Sequence, residues 1–194
     1  VREEGGTTLV LSHSFDDRPG AASFTTGWEQ CLAGLAESLD GRAPTPPEDR
    51  GEARHEELVE LFGLDRPTIS TTGTGWRLRF ERQLICTAEA AWDLAVGPSA
   101  LAVGEKFRSP VAPEVMFGTV AEVEPPRALA LTTAPGRPGD AVRLTLGEGT
   151  GHGARLMLEV SGTDPDERDD AVPAWGADVL ARIVREVARL AGVR

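Results

Sequence analysis

The 194-residue chain contains no tyrosine, a single lysine (Lys106) and two cysteines, Cys31 and Cys86. Two thiols cannot build the disulfide framework of a small secreted domain, so reduced thiols are the default. No stretch approaches the ~18–20 unbroken apolar residues that a membrane helix needs. The first residues, VREEGG, carry neither the basic region nor the apolar run of a signal peptide, and a cytoplasmic location is expected. Positive charge is scarce too: 20 Lys+Arg against 31 Asp+Glu give a formal net charge of −11. Such a surface repels the phosphates of nucleic acid and of anionic membranes, so neither is expected as a partner. The three histidines, His13, His55 and His152, stand in separate segments without His-x-x-x-His or Cys-x-x-Cys spacing, and no metal or other cofactor is expected. There is no Gly-x-Ser-x-Gly elbow, and no catalytic residue is assigned. The glycine-rich loop GEGTGHG at 147–153 lacks the lysine of a Walker loop and has strand patterns on both sides, which makes it a hairpin loop.

What is present is a pattern of strands and helices. Residues 7–12 (TTLVLS) have strand character, and the turn residues at 16–20 end it. Phe24, Trp28, Leu32, Leu35 and Leu39 then recur at helical steps, predicting an amphipathic helix over 21–39 that stops at Gly41. Cys31 lies beside that apolar stripe and is expected to be a buried structural thiol. Residues 42–51 (RAPTPPEDRG) form a proline-rich linker, 53–64 a short helix, and 68–75 (TISTTGTG) a small-polar connection. From Trp76 onward apolar and charged residues alternate as in a half-buried strand. A helix over 87–96 follows, with Thr87 as its N-cap. Strands are predicted at 101–108, 115–124, 128–133, 141–146 and 154–160. The last helix runs from about 173 to 190 with Trp175 at its entrance, Val179, Ile183, Val187 and Leu190 on its apolar face, and acidic residues before it.

A strand followed by a long helix opened by tryptophan occurs twice. Trp28, Leu35 and Leu39 match Trp175, Ile183 and Val187 at offsets of 147 and 148 residues, a spacing on the scale of a domain. Residues 1–41 therefore read as the C-terminal strand and helix of a truncated first domain, 42–73 as a linker with a short helix, and 74–194 as a second, complete domain. A lone strand and helix cannot bury their apolar faces unaided, so residues 7–39 are expected to pack on the second domain or on another copy of the chain.

The order of strand, short helix, antiparallel strands and long terminal helix resembles the helix-grip fold of the START-related superfamily, an α+β fold in which a curved antiparallel sheet wraps the C-terminal helix. Several words are similar to the branch related to the activator of the heat-shock-protein-90 ATPase. They are RFER from Arg79 with AEAAW from Ala88, the hairpin GTVAEVEPPRAL from Gly118, and HSF from His13 followed by GWE from Gly27. The stretch between Trp92 and Gly118 is short for that branch, and its Gly-Trp pair is reversed at Trp175-Gly176. The resemblance implies a cavity between sheet and terminal helix that binds a small hydrophobic molecule. It also implies two alternatives: a co-chaperone-like interaction protein, which predicts an exposed apolar patch, and a polyketide cyclase-like enzyme.

Candidate walls of the cavity are Trp92, Phe107, Phe117, Leu144, Trp175 and Val179. Two charged residues share faces with apolar ones. Arg82 follows Phe80 in register, and Glu105 falls between Val103 and Phe107. Both would then point inward as orienting groups and pair with each other if the fold brings them together, since an unpaired buried charge is costly. A bulge or strand end that returns either one to solvent is the plainer reading. A cavity filled by side chains would sink the ligand-binding reading.

Overall fold

The computed structural model describes residues 2–3, 6–46, 51–151 and 153–191; the readings that fall on residues 1, 4–5, 47–50, 192–194 and His152 lie outside them. Two short strands, β1 (Arg2–Glu3) and β2 (Gly6–Thr7), pair with each other. The others are β3 (Thr68–Thr72), β4 (Gly75–Gln83), β5 (Lys106–Phe107), β6 (Gly118–Glu124), β7 (Ala128–Thr133), β8 (Ala141–Glu148) and β9 (Ala154–Gly162). They form one curved antiparallel sheet in the order β3-β4-β9-β8-β7-β6-β5. Alternation sets which face is buried: Trp76, Leu78 and Phe80 of β4 lie inside with Val142, Leu144, Leu158 and Val160, while Arg77 and Arg79 face outward.

The helices are α1 (Ala21–Leu39), α2 (Glu52–Leu61), α3 (Ala88–Ala95), α4 (Arg168–Trp175) and α5 (Ala181–Ala191), with a π-helical turn, Gly176–Leu180, joining the last two. The predicted α3 forms as its cap dictates: the Ala90 N–H donates to Thr87 Oγ1 at 3.3 Å. The terminal helix starts earlier than expected. An Asp164-capped 3-10 turn leads into α4, which runs through Pro173 instead of beginning there. Pro173 contributes no N–H to the helix ladder, and the π turn follows within three residues. Trp175, Val179, Ile183 and Val187 project from this helix into the core against the sheet.

Elsewhere the chain departs from the sequence reading. Residues 101–108 make strand only at Lys106–Phe107, because Gly104 takes a left-handed φ of +92° and turns the chain there. Residues 68–72, read as a connection, form the edge strand β3. Its side chains are exposed on both faces, so it shows no alternation. Residues 8–12 lie outside any strand.

The α1 helix forms as its periodicity predicts, yet its apolar stripe meets no sheet. Trp28 is 39% exposed where Trp175 is 1% exposed, and Cys31 is exposed for the same reason. The opposite side of α1 packs on α2, with Ala22 buried beside Leu58, Val59 and Leu64. The segment before it is tied down by polar contacts. Arg155 of β9 donates to both carboxylate oxygens of Asp17, and Arg18 donates to the carbonyls of Phe62 and Gly63. No helix among the described residues is long and apolar enough to cross a membrane.

Candidate functional site

Between the sheet and the α4–α5 helix lies an enclosure whose lining is apolar except for Ser109. Strands β7, β8 and β9 supply Leu129, Leu131, Val142, Leu144 and Leu158; the helix supplies Trp175, Val179 and Ile183. Phe107 and Phe117 close one end, with ring centroids 5.9 Å apart, and Phe117 lies 6.0 Å from Trp175. The indole is fixed by its Nε1–H, which donates to the Pro138 carbonyl at 2.9 Å. Ser109 spends its hydroxyl on the Ala95 carbonyl at 2.6 Å, so it offers no free donor inward. The open space is about 30 Å³, roughly the volume of one water molecule. The expected cavity is therefore present only as a remnant: side chains fill nearly all of it.

Of the predicted wall residues, Phe107, Phe117, Leu144, Trp175 and Val179 line this enclosure. Trp92 is buried in the same core without lining it. Glu105 is exposed, because the strand that was to carry it inward is a turn, and its Oε2 accepts from the Ala102 N–H at 3.0 Å. Arg82 is buried, on the face of Phe80, but its partner is Glu56 of α2 at 2.7 Å and not Glu105. The β3–β4 pairing ends at Thr68↔Arg79, so Arg82 has no β3 partner. Burial alone would raise the Glu56 carboxyl, but the His55 hydrogen bond at 3.3 Å and the Arg82 charge outweigh it and hold the carboxyl below its usual range.

A polar residue that the sequence reading passed over stands at the enclosure. Arg137 lies over the Trp175 and Phe117 rings, its Cζ 4.5 and 5.2 Å from their centroids, and it donates to the Ala174 carbonyl at 2.7 Å. Burial lowers its guanidinium pKa, with Asp178 opposing. It sits in the turn between β7 and β8, where proline and glycine signal only a loop, so nothing in the local pattern marks it. Among the described residues no group of His, Cys, Asp or Glu gathers in a way that could hold a metal.

The sequence matches no protein-family model and no curated protein. Among solved structures, the chain is similar to the conserved protein of unknown function EF2215 from Enterococcus faecalis, at 16% identity over 68% of this chain and 82% of that one, with a TM-score of 0.50. The fold is helix-grip. Fainter likenesses are to CalU16 from Micromonospora echinospora (18% identity, 66% of this chain and 96% of that one, TM-score 0.39) and to DynU16, a protein of the dynemicin biosynthetic locus (19%, 57% and 46%, TM-score 0.44). At 16% identity the likeness to EF2215 concerns the fold alone.

Proposed function

We propose that this helix-grip chain binds a compact apolar molecule between its sheet and its C-terminal helix. The observation that carries the reading is the lining: an enclosed, apolar space roofed by the stretch Trp175–Val179–Ile183, in which the regular helix is interrupted by the π turn. Such turns recur at functional sites and are weaker in their hydrogen bonding than the helix around them. Dry apolar cavities of about 150 Å³ hold benzene. With about 30 Å³ open at rest, the roof has to move outward to admit a ring, and the π turn is where it can. Among the described residues the enclosure's lining includes no ionisable side chain, and Arg137 beside it lies over the rings and donates to a carbonyl, which favours binding over acid–base turnover of the cyclase type. A thermal-shift series with benzene, indole and naphthalene tests this on the wild-type chain and on Ile183→Ala, which enlarges the space. Ligand at a hundred times its Kd stabilises by about 2.7 kcal/mol, worth several degrees in Tm. Absence of any rise in both proteins overturns the reading.

A second reading, an interaction protein of the activator type, is favoured by the exposed apolar stripe of Trp28, Leu32, Leu35 and Leu39 on α1. It predicts that the chain changes the chaperone's ATPase rate and that Leu35→Ser with Leu39→Ser abolishes the change. An ATPase rate indifferent to the wild-type chain rejects it.

A further inference from the structure

A wider groove, with Phe80 in its wall, runs between α2 and the α4–α5 helix, with about 590 Å³ of open space. Val59, Phe80, Leu180 and Val184 give it apolar walls, and Arg82 reaches it from β4. Arg82 is only 4% exposed, and its guanidinium is only partly satisfied: Nη2 donates to Glu56, while Nη1 is buried without a partner among the described residues. Neither Glu56 oxygen lies within hydrogen-bond reach of it. Oε2 already receives Nη2, and Oε1 faces His55 Nδ1 at 3.3 Å. A buried N–H left without an acceptor is costly, and one on a cation is met best by an anionic oxygen.

We propose that this groove is a second small-molecule site, one that takes an apolar chain ending in a single carboxylate, with Arg82 Nη1 donating to the carboxylate and the helical walls holding the chain. Arg66 and Arg185 also line the groove and hold no ion pair among the described residues, so they add positive potential at its rim. Glu60 and Asp65 line it as well. They oppose a second negative charge, which selects a monocarboxylate over a dicarboxylate or a phosphate ester. This site is separate from the enclosure, whose lining includes neither Arg82 nor any α2 residue. The two ligand classes differ accordingly, the enclosure's lining including no ionisable side chain among the described residues.

Calorimetric titration of the full chain with decanoate and with decanol, both below their aggregation concentrations, tests the proposal. A hydrogen bond to a charged group is worth roughly a tenfold to hundredfold preference, so decanoate is expected to bind at least about tenfold more tightly. Arg82→Met is expected to bring the two ligands within about twofold of each other. Should that variant fail to fold, Ala177→Trp decides the matter. Ala177 is an exposed groove residue outside the enclosure's lining, so the indole blocks the groove and weakens decanoate at least about tenfold while the benzene response of the enclosure persists. Equal affinity for decanoate and decanol in the wild type overturns the proposal, and so does an Ala177→Trp chain that binds decanoate as the wild type does.

Discussion

Arg155 grips Asp17 through two parallel hydrogen bonds of 2.9 Å, Nη1 to Oδ1 and Nη2 to Oδ2, across 138 residues of chain. The same guanidinium reaches Glu81 at 3.0 Å, and Thr150 donates its hydroxyl to Asp17 from the β8–β9 loop. This bidentate clamp fastens the segment ahead of α1 to the outer face of the sheet.

The Arg155 hydrogen bonds lower the Asp17 pKa, against the opposing effect of burial, to about 2 from an ordinary 3.8. A carboxyl depressed in the folded state contributes stability above its unfolded pKa, and that contribution disappears as pH falls from about 4 to about 2. Asp17 is about one-third exposed, so solvent screening reduces the contribution to roughly 1 kcal/mol. Asp17→Asn is therefore expected to be less stable than wild type by about 1 kcal/mol in urea unfolding at pH 7 and equal to it near pH 2.

Ile183, 1% exposed beneath the sheet, is expected to cost 2–5 kcal/mol on truncation to alanine. The range reflects how far the walls collapse into the space. Urea unfolding gives the cost, and its partial recovery on saturation with benzene would show that the space stays open.

A methyl group at Gly176 would lie 2.8 Å from Phe80 Cζ, with the ring already packed against the π turn. Gly176→Ala is expected to destabilise by about 1–3 kcal/mol through overpacking, measured as a lowered midpoint in denaturant. Thr87→Ala, at the α3 cap, is expected to cost about 1 kcal/mol in the same assay.

Leu32 and Leu35 belong to the uncovered stripe of α1, so their replacement by serine is expected to change stability by no more than about 0.5 kcal/mol. A larger loss would mean that the stripe is buried in solution, against an added contact that sedimentation velocity detects as a change in mass.

The helices and the inner strands were legible because each carries its own period. Thr87 marks α3, and the alternation of Trp76, Leu78 and Phe80 marks β4. β3 escaped because an edge strand with both faces in water has no pattern to read. The walls Phe107, Phe117, Leu144, Trp175 and Val179 followed from burial, which apolar composition reports directly. Charged groups did not follow. Arg82 was placed on the correct face, but its partner, Glu56, comes from a segment read as part of a linker, and a sequence holds no sign of which distant carboxylate will arrive. Glu105 failed because one left-handed glycine, Gly104, broke the register two residues ahead of Lys106. Arg137 depends on a turn whose local signals say nothing about the rings beneath it.

Methyl-resolved NMR titration of the wild-type chain with indole tests binding in the enclosure most directly. Saturable shifts centred on Val142, Leu144, Val179 and Ile183, with Leu32 and Leu35 of α1 unmoved, are the predicted result. Methyls of the enclosure that stay unperturbed up to the solubility limit of indole, or shifts confined to α1, would contradict it.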